Sequence, residues 1–375
     1  MTANTTSKIL ENLDFLIQQD TQNPPRKISK EDRLYQHLNQ HFKNHGFQVK
    51  ITDLGDGHVT FYATKGQPRE LFNVHLDTVP VTASTLKLWN HDPFKLSLKD
   101  NKVYGRGSCD IKGAAAVLML LAETADDLAV VFTSDEEGAN GCCVQNFIDS
   151  TDLSRYQQII IAEPTNAKAV VSHRGYLSTY IEFTGICGHS SMASALEFNA
   201  IHKANSWLTQ ALDFAKQQVS ADNPAGICFN VGVIKGGEKN NMIAEKVNLD
   251  FSARVPSGLS SKKIYEKMKS FDEQAKWRAG MIAPPLPADG QNDEKSLNFC
   301  KNNAIEVAQA VDFWTEAALF SQAGFAAIVL GPGNIKQAHT IDEWVEISQL
   351  EKIYGLYQAI LNNTSLDNNT PSGKD

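Results

Sequence analysis

Several signals that would have settled a function are missing from this sequence. Its six cysteines, Cys109, Cys142, Cys143, Cys187, Cys228 and Cys300, include no CxxC pair. Neither a disulfide framework nor a thiolate zinc site is therefore indicated, and most of the six are expected to be reduced, buried small side chains. No run of Lys and Arg and no basic stripe interleaved with aromatics occurs, and the net charge is -8. A chain that neutralised phosphates would need the opposite balance, so no nucleic-acid partner is expected. No apolar stretch reaches the length of a membrane span. The start, MTANTTSKILENLDFL, has no basic segment followed by a continuous apolar one, so a cytoplasmic protein with no membrane partner is the expectation. GxSxG, HExxH and GxxxxGK[ST] are absent, and GRGSCDIKG (105–113) lacks the spacing of a dinucleotide loop. Its first glycines read as a turn before a helix.

What is present is an ordinary globular composition, 42% hydrophobic with 24 Gly and 13 Pro in 375 residues, enough chain for two domains. Residues 4–19 and 31–45 have helical periodicity, while 47–54 and 58–65 alternate as strands. The runs LFNV (71–74), LAVVFT (128–133), IIIA (159–162) and AAIVL (326–330) are apolar throughout, which suits strands buried on both faces of a mostly parallel sheet covered by helices. A covering helix is expected over 111–125 with Asp110 as its N-cap. The middle differs: a strand at 176–183, a helix at 194–219, strands at 227–234 and 247–255, and a helix at 260–277 give the order β-α-β-β-α. This predicts an α/β catalytic domain (1–177 and 283–375) interrupted by an α+β domain (178–282), with the Pro/Gly-rich IAPPLPADG as one crossing. Residues 365–375 are polar enough for a frayed tail.

Acids and histidines gather at the ends of the apolar runs. LFNV leads to His75 and Asp77, LAVVFT to Glu136 and Glu137, IIIA to Glu163, and Asp110 joins from a helix start. Open α/β sheets bind ligands at the C-terminal ends of their strands. Carboxylates crowded there repel one another unless a cation compensates, and a His/Asp/Glu donor set suits zinc or a similar divalent ion. His75 is thus a ligand candidate and Asp77 is placed to orient its ring. Neighbours leaving a strand point to opposite sides, so one of Glu136 and Glu137 can bind metal while the other faces a water. The plainer alternatives are a hydrogen-bonded core histidine at 75 and an exposed acidic turn at 134–138.

HLDTVP, GRGSCDIKG, TSDEEG, IAEPT, GHSS and GPGNIKQAHTIDE, in that order over residues 75–343, resemble the two-zinc aminoacyl hydrolases, a family that includes acetylornithine deacetylase, succinyl-diaminopimelate desuccinylase and aminoacylase. Within it, residues 311–345 most resemble the acetylornithine deacetylases, including their N-acetylcitrulline branch. The resemblance implies a two-zinc exopeptidase-like fold with a ferredoxin-like lid and dimerisation domain, and hence a homodimer. It implies a metal-dependent amide hydrolase that removes the acetyl group of N2-acetylornithine in arginine biosynthesis, with N-acetylcitrulline, succinyl-diaminopimelate or a dipeptide as alternative substrates. It further implies that His75 and Glu163 hold one metal and Glu137 and His339 the other, with Asp110 bridging. Zn²⁺ is the expected ion, with Co²⁺ as the alternative. Glu136 would then be the general base, Asp77 the residue behind His75, His189 the group polarising the amide carbonyl, and Asn241, Arg254 and Arg174 substrate contacts. One departure stands out: after GHSS this chain continues MASALEFNAI where family members often have a proline and a glycine.

Overall fold

A computed structural model describes residues 2–24, 28–138, 142–221 and 223–368. Most of the tail expected to fray lies outside these. The chain divides into two compact units, one of Met1–Val171, Asp293–Ala310 and Thr315–Asp375, the other of Ser172–Asn292 and Val311–Trp314.

Helices α1 (Ala3–Ile17) and α2 (Arg33–Asn44) open the first unit. Leu13, Leu16 and Ile17 of the one and Leu34, Leu38 and Phe42 of the other recur at helical spacing and are buried, so each helix is held by its apolar stripe. Then follow β1 (Gln48–Asp53), β2 (Val59–Lys65), β3 (Glu70–His75), α3 (Ala83–Leu86), β4 (Ser97–Lys99), β5 (Lys102–Tyr104), α4 (Lys112–Ala122), β6 (Leu128–Thr133), α5 (Cys142–Ser150) and β7 (Gln158–Ile161). Among the described residues the main sheet has the order β1-β2-β6-β3-β7-β12, where β12 is Ala327–Val329. β6, β3, β7 and β12 run parallel, while β1 and β2 form an antiparallel margin. Every residue of β3, β6, β7 and α4 is buried, as apolar runs covered on both faces require. The register sets His75 beside Thr133 and Asn73 beside Ile161. The chain therefore leaves β6, β3 and β7 at one edge, and the acidic residues that follow emerge together.

The helix over 111–125 is shorter than expected and its cap is different. α4 begins at Lys112 with Ile111 in the N-cap position, and the Asp110 amide is bound instead by a Glu343 carboxylate oxygen at 3.0 Å. That frees the Asp110 side chain to point elsewhere.

The second unit comprises β8 (Gly175–Thr184), α6 (Ala195–Phe198), α7 (Ala200–Gln217), β9 (Cys228–Gly236), β10 (Lys246–Val255), α8 (Ser261–Lys269) and β11 (Lys276–Ala283). Its antiparallel sheet has the order β11-β8-β10-β9, so the split arrangement gains a fourth strand. The expected helix over 260–277 ends early because the Asp272 carboxylate accepts the amides of Gln274 and Ala275, an Asx turn that stops the helix and starts β11. The helix over 194–219 is likewise broken at Asn199, whose side chain caps α7 by accepting from the Ile201 amide. Trp207 of α7, 1% exposed, packs on Phe183 and Phe251 at the centre of this unit's core.

The first unit resumes with α9 (Glu294–Asn302), α10 (Ala317–Gln322), β12, β13 (Trp344–Glu346) and α11 (Ile347–Asn368). No helix among the described residues is long and apolar enough to cross a membrane. Cys109, Cys143 and Cys300 are buried, but Cys142, Cys187 and Cys228 are exposed, so burial accounts for only half of the cysteines.

Candidate metal centre

His75 ends β3 as a buried ring, 1% exposed. Its Nδ1 donates to the main-chain oxygen of Asp77 at 2.9 Å, which turns Nε2 toward the acidic cluster. That nitrogen faces Asp110 Oδ1 at 3.2 Å and Glu163 Oε1 at 3.3 Å. Burial opposes a charge on this ring, but hydrogen bonds to Asp110, Asp77 and Glu163 raise it well above the ordinary histidine range; its one Nε2 proton can serve only one of the two oxygens. A cation bound by all three satisfies the geometry.

The same construction recurs alongside. His339 Nε2 lies 3.0 Å from Asp110 Oδ2 and 3.0 Å from Glu137 Oε1. The two oxygens of Asp110 thus face two different histidines. Each trio, His75 with Asp110 and Glu163 and Asp110 with Glu137 and His339, has ligand atoms within 4.8 Å of one another. The donors are nitrogen and oxygen only, which suits zinc or cobalt, while the imidazoles disfavour calcium or magnesium. His339 sits in a loop with φ 61°, the left-handed region in which histidine is among the tolerated residues.

The carboxylate of Asp77 holds the neighbouring acidic turn. Its oxygens accept the amides of Glu136 at 3.3 Å and Glu137 at 3.0 Å, and the side-chain amide of Asn23 at 3.0 Å. Its nearer oxygen is 3.5 Å from His75 Nδ1, so the ring is oriented by the Asp77 carbonyl more closely than by its carboxylate. β6 ends at Thr133, and Glu136 and Glu137 lie on a turn. Strand alternation therefore does not separate their side chains; the turn pinned by Asp77 sets their directions.

These groups distort one another's proton affinity. Burial pushes Glu163 up to about 7, the Asp110 charge adding to it. Burial also raises Glu136 well above the usual carboxylate range, reinforced by Glu163 and Glu137 and opposed by His75. Hydrogen bonds to Asp110 and Glu137 raise His339 to about 10. A carboxylate that burial raises beside a cation site, as at Glu136, is the electrostatic signature of a general base.

Two buried carboxylates had no role in the sequence reading. Glu343, 0% exposed, accepts from Arg106 Nη1 at 2.7 Å and from the amides of Gly107, Cys109 and Asp110, each at 3.0 Å. It folds the loop that presents Asp110 around itself. Gly107 within that loop has φ 79°, and a Cβ there would meet Thr78 Cγ2 at 2.8 Å, so the turn requires glycine. Glu316, 1% exposed, accepts from Asn73 Nδ2 at 2.5 Å and from Thr133 Oγ1, tying β3 to β6 beneath the centre; burial raises it to about 8. No spacing rule would have found either, since each acts by accepting donors remote in sequence.

The remaining candidates lie in the second unit. His189 is exposed, its Nδ1 2.8 Å from Ser191 Oγ. Asn241 stands beside it, its carbonyl accepting the Ser190 amide at 3.1 Å. Arg254 on β10 stacks over the Tyr176 ring, 4.4 Å from its centroid. Arg174 is engaged already, its Nε donating to Asp312 at 2.6 Å and its Nη1 to the Gly226 carbonyl at 2.7 Å.

Residues 71–363 match the model of peptidase family M20/M25/M40. The chain belongs to this family. As an M20/M25/M40 family member of the acetylornithine deacetylase type it is a hydrolase of linear amides. It is 38% identical over 363 residues to an N-acetyl-L-citrulline deacetylase of Xanthomonas campestris pv. campestris, covering 94% of this chain and 97% of that one. An acetylornithine deacetylase of Proteus mirabilis is 29% identical over 86% of this chain and 87% of its own length. In fold it is similar to an aminopeptidase of Bacillus cereus (TM-score 0.72, 17% identity, 96% and 99% of the two chains covered). It is also similar to a dinuclear metal-binding peptidase of the M20 family from Bacillus subtilis (TM-score 0.65, 13% identity, 98% and 99% covered).

Proposed function

We propose that this protein removes the acetyl group from the α-nitrogen of an N-acetylated amino acid of the ornithine–citrulline pair, in arginine biosynthesis. The observation that carries the proposal is the His75 Nε2 set between Asp110 and Glu163, with the His339 Nε2 placed in the same way between Asp110 and Glu137. The motifs point to N2-acetylornithine. The 38% identity to an N-acetyl-L-citrulline deacetylase, against 29% to an acetylornithine deacetylase, favours N-acetylcitrulline as a second substrate.

His75, Asp110 and Glu163 would hold one divalent ion and Asp110, Glu137 and His339 another, Zn²⁺ first and Co²⁺ as the alternative. When bound, such ions polarise an amide carbonyl and lower the pKa of water. Glu136 takes the proton of the attacking water and delivers it to the leaving amine, a task suited to a carboxyl raised by burial. Asp77 fixes the Glu136 and Glu137 amides and the His75 ring, so one residue positions both base and ligand. His189, Asn241 and Arg254 are assigned to the substrate on the strength of their motifs, Arg254 gripping the α-carboxylate with its planar fork. Arg174 is the weakest of these assignments, because Asp312 already neutralises it. A homodimer through the second unit is supported by the exposed edge strand β9, where Val233 and Ile234 face outward.

The test is a steady-state assay of purified protein on N2-acetylornithine, N-acetylcitrulline and succinyl-diaminopimelate, before and after chelation. Acetyl release from either of the first two, lost on chelation and restored by Zn²⁺ or Co²⁺, is expected. Undiminished turnover in metal-free protein, or activity on the succinyl compound alone, refutes the proposal.

A further inference from the structure

A second group of metal-binding side chains includes Asp135, the residue just before Glu136. A ring nitrogen of His58, a carboxylate oxygen of Asp135 and Sγ of Cys142 lie within 4.8 Å of one another. They come from three places: the residue before β2, the residue before Glu136, and the first residue of α5. We propose that His58, Asp135 and Cys142 form a separate site for one thiophilic divalent cation of the zinc class.

The Asp135 carboxylate gives the independent observation. One oxygen, Oδ2, is fully used: it accepts from His58 Nδ1 at 3.0 Å and from the Cys143 amide at 3.0 Å. Among the described residues the other, Oδ1, has no hydrogen-bond partner, on a side chain that is 0% exposed. A buried carboxylate oxygen without a donor is costly, and a cation removes the cost. Around a tetrahedral zinc, bonds of about 2.0–2.3 Å set ligand atoms about 3.3–3.7 Å apart. The three ligand atoms lie within 4.8 Å of one another, so side-chain adjustments that turn Oδ1 and an unprotonated nitrogen of His58 toward the Cys142 sulfur would meet this.

Nitrogen, oxygen and sulfur together select zinc or cadmium over magnesium or calcium. On binding, the Cys142 thiol proton leaves to solvent as the metal–sulfur bond forms, and water completes the shell on the exposed side. The ion would join the loop carrying Glu136 to the start of α5 and to the turn before β2. This site differs in kind from the first one, which contains no sulfur donor.

That difference makes it testable on the intact protein. Titration with Cd²⁺ in a thiol-free reductant is expected to give an ultraviolet sulfur-to-metal charge-transfer band saturating at one equivalent and displaced by Zn²⁺. Cys142→Ser, a change at an exposed position, should abolish the band, and His58→Gln, which keeps a donor toward Asp135, should weaken binding at least tenfold. In a measurement that needs no variant, Zn²⁺ should protect Cys142 from alkylation, read by peptide mass, while leaving the exposed Cys187 and Cys228 reactive. No band in the native protein, a band that survives Cys142→Ser, native affinity in His58→Gln, or equal alkylation of Cys142 with and without zinc would each overturn the proposal. None of these outcomes bears on the deacetylase assay, since the first centre gives no such band.

Discussion

Replacing Glu343 by Gln tests whether the loop that presents Asp110 is held in the way described. The native carboxylate receives four donors, two on each oxygen: Arg106 and Gly107 on Oε2, Cys109 and Asp110 on Oε1. A glutamine puts an NH₂ group where one oxygen stood, so whichever way it turns, two donors meet a donor. Each buried orphan costs about 1–3 kcal/mol. The charge opposite buried Arg106 is lost too, and breaking a buried pair costs about 3–5 kcal/mol in all, a figure that already includes the orphaned partner. At about 2–4 °C per kcal/mol for a unit of this size, the melting temperature should fall by roughly 10 °C. Because two of the amides in question belong to Cys109 and Asp110, metal retention should fall alongside stability. Calorimetry and metal analysis on the native protein and Glu343→Gln measure both. A melting point within about 2 °C of native, with full metal content, would show that Glu343 does not hold this loop.

Three other outcomes are expected. In chelated protein, Glu163 at about 7 and His339 at about 10 both lie above their ordinary values of 4.5 and 6.5. The folded state therefore binds more protons than the unfolded one across this range, and stability should decline as pH rises from about 5 to 9. Zinc-loaded protein should lose that slope, and a metal-free melting temperature that climbs between pH 6 and 9 contradicts the assignment. Glu136→Gln should keep its metal while kcat drops by about 10²–10⁴-fold, whereas Glu137→Gln should lose one ion; the opposite pattern by metal analysis exchanges their roles. Arg254→Met should lower kcat/KM by about 10- to 100-fold, as expected for a charge-assisted contact to a carboxylate, with partial recovery in Arg254→Lys; equal rates on free-acid and carboxyl-amidated substrates remove Arg254 from substrate binding.

What could be read from the sequence divides along physical lines. His75, Glu163 and the Glu136–Glu137 pair were legible because they follow fully buried parallel strands, whose apolar runs mark their ends in any sequence. His339 was not legible from spacing, since it hangs on a loop at φ 61° with no strand before it, and only the motif pointed to it. Glu343 and Glu316 accept hydrogen bonds from residues more than 180 positions away, which no local periodicity records. β11 was hidden because only the last residue of KWRAGMIA is buried at its sheet edge, so it lacks an apolar run; the Asx turn at Asp272 was the one local clue. The separation of the Glu136 and Glu137 roles was argued from strand alternation, but both stand on a turn whose amides Asp77 holds.

The backbone at His339 sets rules for anyone who would re-engineer this centre. A left-handed residue accepts aspartate or asparagine with little strain and resists branched side chains such as threonine or valine. Exchanging the imidazole for an aspartate is therefore a change of donor and charge with the loop left in place. With His339 as the proposed ligand, such swaps at position 339 would retune which ion the site prefers, whereas a swap to a branched residue would rebuild the loop first and report on strain rather than on coordination.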